Sequence, residues 1–182
     1  MGILKLLDRR FEVLLNSQII IRRVKLLAKS INKDLRKDDP LFIVVLNGSF
    51  MFAAELLKWI NFPCQVQFIK VSSYDGTQSS GRVQSILGLN QSIKDRNVII
   101  LEDIIDTGLT VDYLINTLIL NEPLSIKICS LLLKPESLKV PIIPDYIGFE
   151  VGNYFLVGYG LDYNGYGRNL KNIYVEVEKT EI

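Results

Sequence analysis

The spacing of apolar residues changes at Pro40, and the change separates two kinds of structure. Over residues 17–37, Ile20, Val24, Leu27, Ala28, Ile31 and Leu35 share one face, while Arg22, Lys25, Lys29, Lys33 and Arg36 take the other. This is the period of an amphipathic helix, with Leu26 the exception among the charges. Ser17 is the expected N-cap, and Asp38-Asp39-Pro40 ends the helix. Beyond Pro40 come short apolar runs divided by turns and helices. Leu41–Leu46 is apolar throughout, as a strand covered on both faces must be. Asn47-Gly48-Ser49 breaks it, and Met51–Ile60 is predicted helical. Cys64–Val71 alternates in part, Val83–Leu87 is a candidate return strand, and Asn97–Leu101 is a second buried strand. A helix is predicted over Leu109–Leu120. Ile126–Leu133, Tyr146–Glu150, Phe155–Val157 and Ile173–Val177 complete the strands. Ser72–Arg82, rich in Ser and Gly, is too long for a simple connection. The alternation of strand and helix predicts one α/β domain with a mostly parallel central sheet, without repeats or linkers.

Composition narrows what such a domain can do. At 182 residues, 48% hydrophobic and 23% charged, the chain can bury a sizeable core. Its 21 basic and 20 acidic side chains give net +1, which supplies no electrostatic footprint for nucleic acid. The balance hides an asymmetry: residues 1–39 hold ten basic and five acidic side chains, net +5, leaving −4 for the rest. A solvated helix face accounts for this most simply; an oligomer contact or a polyanion patch are the alternatives. Cys64 and Cys129 fit no metal or redox spacing and are expected to be reduced. No apolar run approaches the ~18 residues of a membrane span, and the N-terminus lacks the apolar core of a signal peptide. A cytoplasmic protein with no membrane partner is expected. The chain contains no histidine. That removes the commonest general base, the Ser-His-Asp and Cys-His nucleophiles and every His-containing zinc site. Any proton chemistry rests on carboxylates, Lys, Tyr or Cys.

The chemistry-bearing stretch is Val98-Ile99-Ile100-Leu101-Glu102-Asp103-Ile104-Ile105-Asp106-Thr107-Gly108-Leu109-Thr110. A buried strand ends in two carboxylates, and the chain turns through Asp-Thr-Gly-x-Thr into a helix. Such a turn aims backbone N–H groups and two hydroxyls at one spot beside a helix N-terminus, which suits a terminal phosphate. Carboxylates at the C-terminal end of a strand lie where open α/β sheets bind ligands, and can hold a hydrated Mg²⁺ or accept from sugar hydroxyls. No G-x-x-x-x-G-K-[ST] is present, so a P-loop is a poor fit.

This segment resembles the phosphoribosyl-pyrophosphate motif of the type I phosphoribosyltransferases, and Asp106 gives it the form of the 6-oxopurine (hypoxanthine or hypoxanthine-guanine) branch. Val45–Phe52, Ser72-Ser73-Tyr74, Leu132-Leu133-Lys134 and Gly148-Phe149-Glu150 through Asn164 and Arg168 match in the same order, so the resemblance spans roughly residues 40–177. It implies a cytosolic, Mg²⁺-dependent enzyme of purine salvage that joins a 6-oxopurine to phosphoribosyl pyrophosphate, and a homodimer or homotetramer. The implied fold is a central sheet flanked by helices with a small hood, drawn from the N-terminal segment and roughly residues 134–164.

The resemblance also implies residue roles. Asp106 accepts the purine proton, the one catalytic role assigned. Glu102 and Asp103 face the ribose hydroxyls and Mg²⁺, with Asp162 as a further metal or base contact. Ile104, Ile105, Thr107, Gly108, Leu109 and Thr110 complete the phosphoribosyl site; Leu109 stands where many relatives have Lys. Asn47 and Gly48 form the pyrophosphate loop, in which the family carries a non-proline cis peptide. Many relatives have Lys or Arg at the position of Asn47, so the cationic contact falls to Arg168. Lys134 donates to the purine 6-oxo group, Phe155 stacks on the ring, and Leu156 reads its edge through the backbone. Ser73 and Tyr74 close a lid that excludes water. A xanthine- or guanine-preferring enzyme, and a non-catalytic nucleotide- or RNA-binding regulator on the same fold, are the competing readings.

Overall fold

The computed structural model describes residues 2–73, 83–89 and 91–177. Two strands precede the first helix: β1 (Leu4–Leu6) and β2 (Arg9–Leu15) form an antiparallel hairpin with Leu4 opposite Phe11. Helix α1 (Ser17–Leu35) follows. Its cap is Asn16, not Ser17: the Asn16 side-chain oxygen accepts from the Ile19 N–H at 3.0 Å. The Ser17 N–H instead donates to Asn172 Oδ1 at 2.9 Å. The six apolar positions of the predicted stripe are all buried and Leu26 is exposed. At about 1.5–3 kcal/mol for each buried Ile, Leu or Val, that face holds α1 to the body of the protein.

Next come β3 (Leu41–Leu46), α2 (Phe50–Leu57), β4 (Gln65–Ser73), β5 (Val83–Leu87), β6 (Asn97–Ile105), α3 (Leu109–Ile119), β7 (Ser125–Leu133), β8 (Tyr146–Glu150), β9 (Leu156–Val157) and β10 (Ile173–Val177). The larger sheet runs β5-β4-β3-β6-β7-β8. Five of its strands are parallel, and β5 returns antiparallel along β4. The continuous apolar runs of β3 and of β6 (Val98–Leu101) follow from burial on both faces, with α1 and α2 on one side and α3 on the other.

The smaller sheet runs β1-β2-β10-β9, all antiparallel. It joins the N-terminal segment to residues 156–157 and 173–177. The expected boundaries of the hood therefore change. The N-terminal segment belongs to the small sheet, but residues 146–150 pair with β7 as the edge of the large one. Arg23 ties α1 to that edge strand, donating to the carbonyls of Gly148 (2.5 Å) and Ile147 (2.9 Å).

Candidate active site

The parallel strands β3, β6 and β7 end together, and their C-terminal ends supply the site. Strand β6 continues four residues past the apolar run, so Glu102 and Asp103 lie within it. Glu102 is buried and paired in register with Ser130. Its Oε2 has no hydrogen-bond partner. Burial, and secondarily the charge of Asp103, pushes its carboxyl well above the usual carboxylate range. Asp103 is pushed up to about 6: burial raises it and Asp162 adds repulsion, while its own and the Ile104 backbone N–H groups and Arg168 act the other way. An ionised pair at this spot costs free energy that a cation would offset.

Beyond β6 the chain passes Asp106 and Thr107 and enters α3 at Gly108, whose φ of +80° sets the turn. The Asp112 N–H donates to the Gly108 carbonyl at 2.9 Å. The N–H groups of Leu109, Thr110 and Val111 come before that first bond and lack intrahelical acceptors. A recess of about 80 Å³ opens here, lined by Glu102, Ile105, Asp106, Thr107, Gly108 and Thr110 among others. Ile104 is half-buried on its wall, Ile105 buried. The recess lies at the turn where the sequence reading expects an anion to sit.

Lys134 follows β7 directly, and its N–H donates to the Ile105 carbonyl at 2.9 Å. Its side chain is 8% exposed and reaches back to Asp106, Nζ to Oδ2 at 2.7 Å. Asp106 is 47% exposed at its side chain, so the pair presents a carboxylate to solvent backed by a buried ammonium.

The third wall comes from the loop after β3. The Leu46–Asn47 peptide is cis. Gly48 lies against the Asp103 carboxylate, where a Cβ would overlap Oδ2, and the Gly48 carbonyl occupies the space a Cβ on Gly160 would need. Asn47 is exposed beside them. Arg168 Nη1 donates to the Gly160 carbonyl at 2.8 Å, and its Nη2 pairs with Asp162 Oδ1 at 2.6 Å. Asp162 also accepts from the Gly165 N–H at 2.7 Å. Arg168 is thereby fixed beside the Gly48 loop.

Glu102, Asp103 and Asp162 do not form one metal cage. Among the described residues no three Cys, Asp or Glu side chains converge closely enough to hold a cation. Asp162 is committed to Arg168 and Gly165. The unpartnered Glu102 Oε2 beside Asp103 nevertheless fits Mg²⁺, which binds through one or two carboxylates and takes its other ligands from water and phosphates.

Phe155 immediately precedes β9 and is 40% exposed. Its ring contacts are with Phe11 of the small sheet at 6.3 Å and with Tyr163, in the loop after β9, at 5.7 Å between centroids. Leu156 is buried in the main core and pairs with Val175. Ser73 ends β4, and Tyr74 to Arg82 of the expected lid lie outside the described residues. Sequence reasoning missed the surroundings of Phe155, namely Arg9 and Glu176. Phe11, Val13 and Leu15 alternate with polar or exposed neighbours, a signal that could have revealed β2.

The phosphoribosyl transferase domain family matches residues 11–164. A hypoxanthine-guanine phosphoribosyltransferase from Lactococcus lactis is 44% identical over 180 residues, covering 98% of this chain and 97% of that protein. One from Aquifex aeolicus is 40% identical, covering 92% and 95%. The crystal structure of a hypoxanthine-guanine phosphoribosyltransferase from Bacillus anthracis superposes with a TM-score of 0.83 at 37% identity, covering 92% of this chain and 97% of that one.

Proposed function

The chain belongs to the hypoxanthine-guanine phosphoribosyltransferases, and from that membership we propose that it transfers the 5-phosphoribosyl group of phosphoribosyl pyrophosphate to hypoxanthine and guanine. The products are IMP or GMP and pyrophosphate, in purine salvage. The observation that carries this reading is the Lys134–Asp106 pair at 2.7 Å, set beside the Thr107–Thr110 phosphate cradle.

In this reading Thr107, Gly108, Leu109 and Thr110 hold the 5′-phosphate through backbone N–H groups and hydroxyls. Leu109 brings no charge, so the helix N-terminus supplies the attraction. Glu102 and Asp103 face the ribose hydroxyls. Mg²⁺, when bound there, neutralises the carboxylates and the pyrophosphoryl oxygens. Gly48, with the neighbouring Asn47 backbone and Arg168, receives the pyrophosphate. As the bond from C1 to pyrophosphate oxygen breaks and a base nitrogen bonds to C1, that base loses a proton, which Asp106 accepts. Lys134 donates to the 6-oxo oxygen; a 6-amino group would set donor against donor and is rejected. Phe155 stacks on the base, the Leu156 backbone reads its edge, and Asp162 borders it while orienting Arg168. Ser73 and Tyr74 belong to the lid. A cytoplasmic homodimer or homotetramer of single-domain chains completes the proposal; no helix among the described residues is long and apolar enough to cross a membrane.

The test is pyrophosphate release with Mg²⁺, phosphoribosyl pyrophosphate and hypoxanthine, guanine, xanthine or adenine. Turnover is expected with hypoxanthine and guanine. Asp106→Asn should lower kcat about 10²–10⁴-fold. Full kcat in that variant would remove Asp106 from its role, and no turnover with any 6-oxopurine would overturn the activity.

A further inference from the structure

Phe155 would make a poor platform if it stood alone. It lies at the exposed entrance of a two-residue strand, and a base stacked on a freely rotating ring must bear the entropy of ordering it. The small sheet prevents this. Phe11 of β2 lies opposite Glu176 of β10, whose N–H donates to the Phe155 carbonyl at 3.0 Å. Phe11, Glu176 and Phe155 therefore form one row across three chain segments, and Arg9, two residues before Phe11, shares its face. The Arg9 guanidinium carbon is 5.0 Å from the Phe155 ring centre and 4.5 Å from that of Tyr163. Glu176 Oε2 fixes the guanidinium at 3.0 Å from Nη1. Tyr163 meets Phe155 edge-on at 84°, and its hydroxyl bonds Asp8 Oδ1 at 2.9 Å.

We propose that Arg9 is a positioning residue for purine binding: its guanidinium, lodged on Phe155 and Tyr163 and anchored by Glu176, locks the Phe155 ring as a preformed stacking surface. This rests on the reading of Phe155 as the base platform. One ring face is held by Arg9, Tyr163 packs on the ring at 84°, and Phe11 at 43°. Beside them opens a cleft of about 650 Å³ bordered by Arg9, Tyr154, Phe155 and Glu176, so the ring has room to swing when the clamp is absent. Tyr163 also follows Asp162, the partner of Arg168. The clamp thus connects the base wall to the pyrophosphate wall.

Arg9→Met keeps the aliphatic stem and deletes the guanidinium. The KM for hypoxanthine and the calorimetric Kd for IMP should rise about three- to tenfold, the scale of a cation–π contact, while kcat and the KM for phosphoribosyl pyrophosphate stay within about twofold. Arg9→Lys should fall between wild type and Arg9→Met. In a Phe155→Leu background, Arg9→Met should add nothing. An unchanged IMP Kd, an equal rise in both KM values, or the same loss in the Phe155→Leu background would each overturn the proposal. IMP binding is read without turnover. A wild-type protein that binds IMP but releases no pyrophosphate would therefore refute the activity alone, and Arg9 would stand or fall by the Kd ratio. A wild-type protein that binds no IMP refutes both.

Discussion

Replacing Asp103 with Asn should make the ligand-free protein more stable and the enzyme worse. Asp103 has an ordinary pKa of 3.8 and is held at about 6 in the fold. At 1.36 kcal/mol per tenfold change in proton affinity, its ionised form opposes folding by at most about 3 kcal/mol at neutral pH. The sign follows from proton counts. Between pH 4 and 6 the folded protein binds more protons at this site than the unfolded chain, so stability falls as pH rises through that window. Above pH 6 the penalty is complete, and below pH 4 it is absent. The amide of the Asp103→Asn variant carries no such penalty and keeps an oxygen for the backbone N–H groups. For a chain of this size a gain of about 2–3 kcal/mol raises Tm by roughly 4–12 °C. The assay is thermal unfolding by circular dichroism in a chelator, wild type against Asp103→Asn, at pH 7.5 and pH 4.5. The variant should melt higher at pH 7.5, and the difference should shrink toward zero at pH 4.5. Divalent cation should stabilise the wild type more than the variant. A variant that melts lower at pH 7.5, or a Tm difference independent of pH, would refute the claim that a strained carboxylate sits at this strand end.

Other expected outcomes follow from the same geometry. Lys134→Met strips Asp106 of its cation and the base of a charged donor; kcat/KM for hypoxanthine should fall about 10–100-fold and the preference over adenine should narrow, as measured by competition. Gly48→Ala places a Cβ on the Asp103 carboxylate. Displacing that group should lower kcat/KM at least about 10²-fold, measured by pyrophosphate release in a variant whose circular dichroism spectrum is native. Asn16→Ala removes the α1 cap, and should cost about 1 kcal/mol and 2–4 °C in Tm with kcat unchanged.

Much of this architecture was legible in the sequence, for reasons that differ by element. Continuous apolar runs identified β3 and β6, because a strand covered on both faces has no polar side. The stripe from Ile20 to Leu35 identified α1 for the converse reason. The cap was misplaced by one residue, since Asn16 and Ser17 are both good caps and the Asn172 side chain claims the Ser17 N–H. At the site, Glu102–Thr110 could be read because its residues are contiguous. The small sheet could not, because it is assembled from opposite ends of the chain. Nothing local in Arg9 shows that Glu176, 167 positions away, will anchor it. The same reason explains the misplaced hood: Tyr146–Glu150 reads equally well as a strand of either sheet, and only pairing with Cys129–Leu133 assigns it. Asp162 carries an acidic side chain suited to a metal, but its commitment to Arg168 is a three-dimensional fact.

The pairing of β2 with β10 also has a consequence for how the protein is made. A polypeptide emerges from its N-terminus at about 5–20 residues per second, and contacts can form only once both partners exist. The strands of the large sheet, through Glu150, are complete while residues 151–182 are still being added. During that interval the β1–β2 hairpin has no sheet to join, and the edge of β2 that pairs with β10 in the finished fold presents unpaired backbone to the surroundings. Only when Ile173–Val177 arrives does β10 slot between β2 and β9 and bring Arg9, Phe155 and Glu176 together. The cluster of Arg9, Phe155 and Glu176 is therefore among the last parts of the fold to form, and a chain released early would carry the Thr107–Thr110 turn without it.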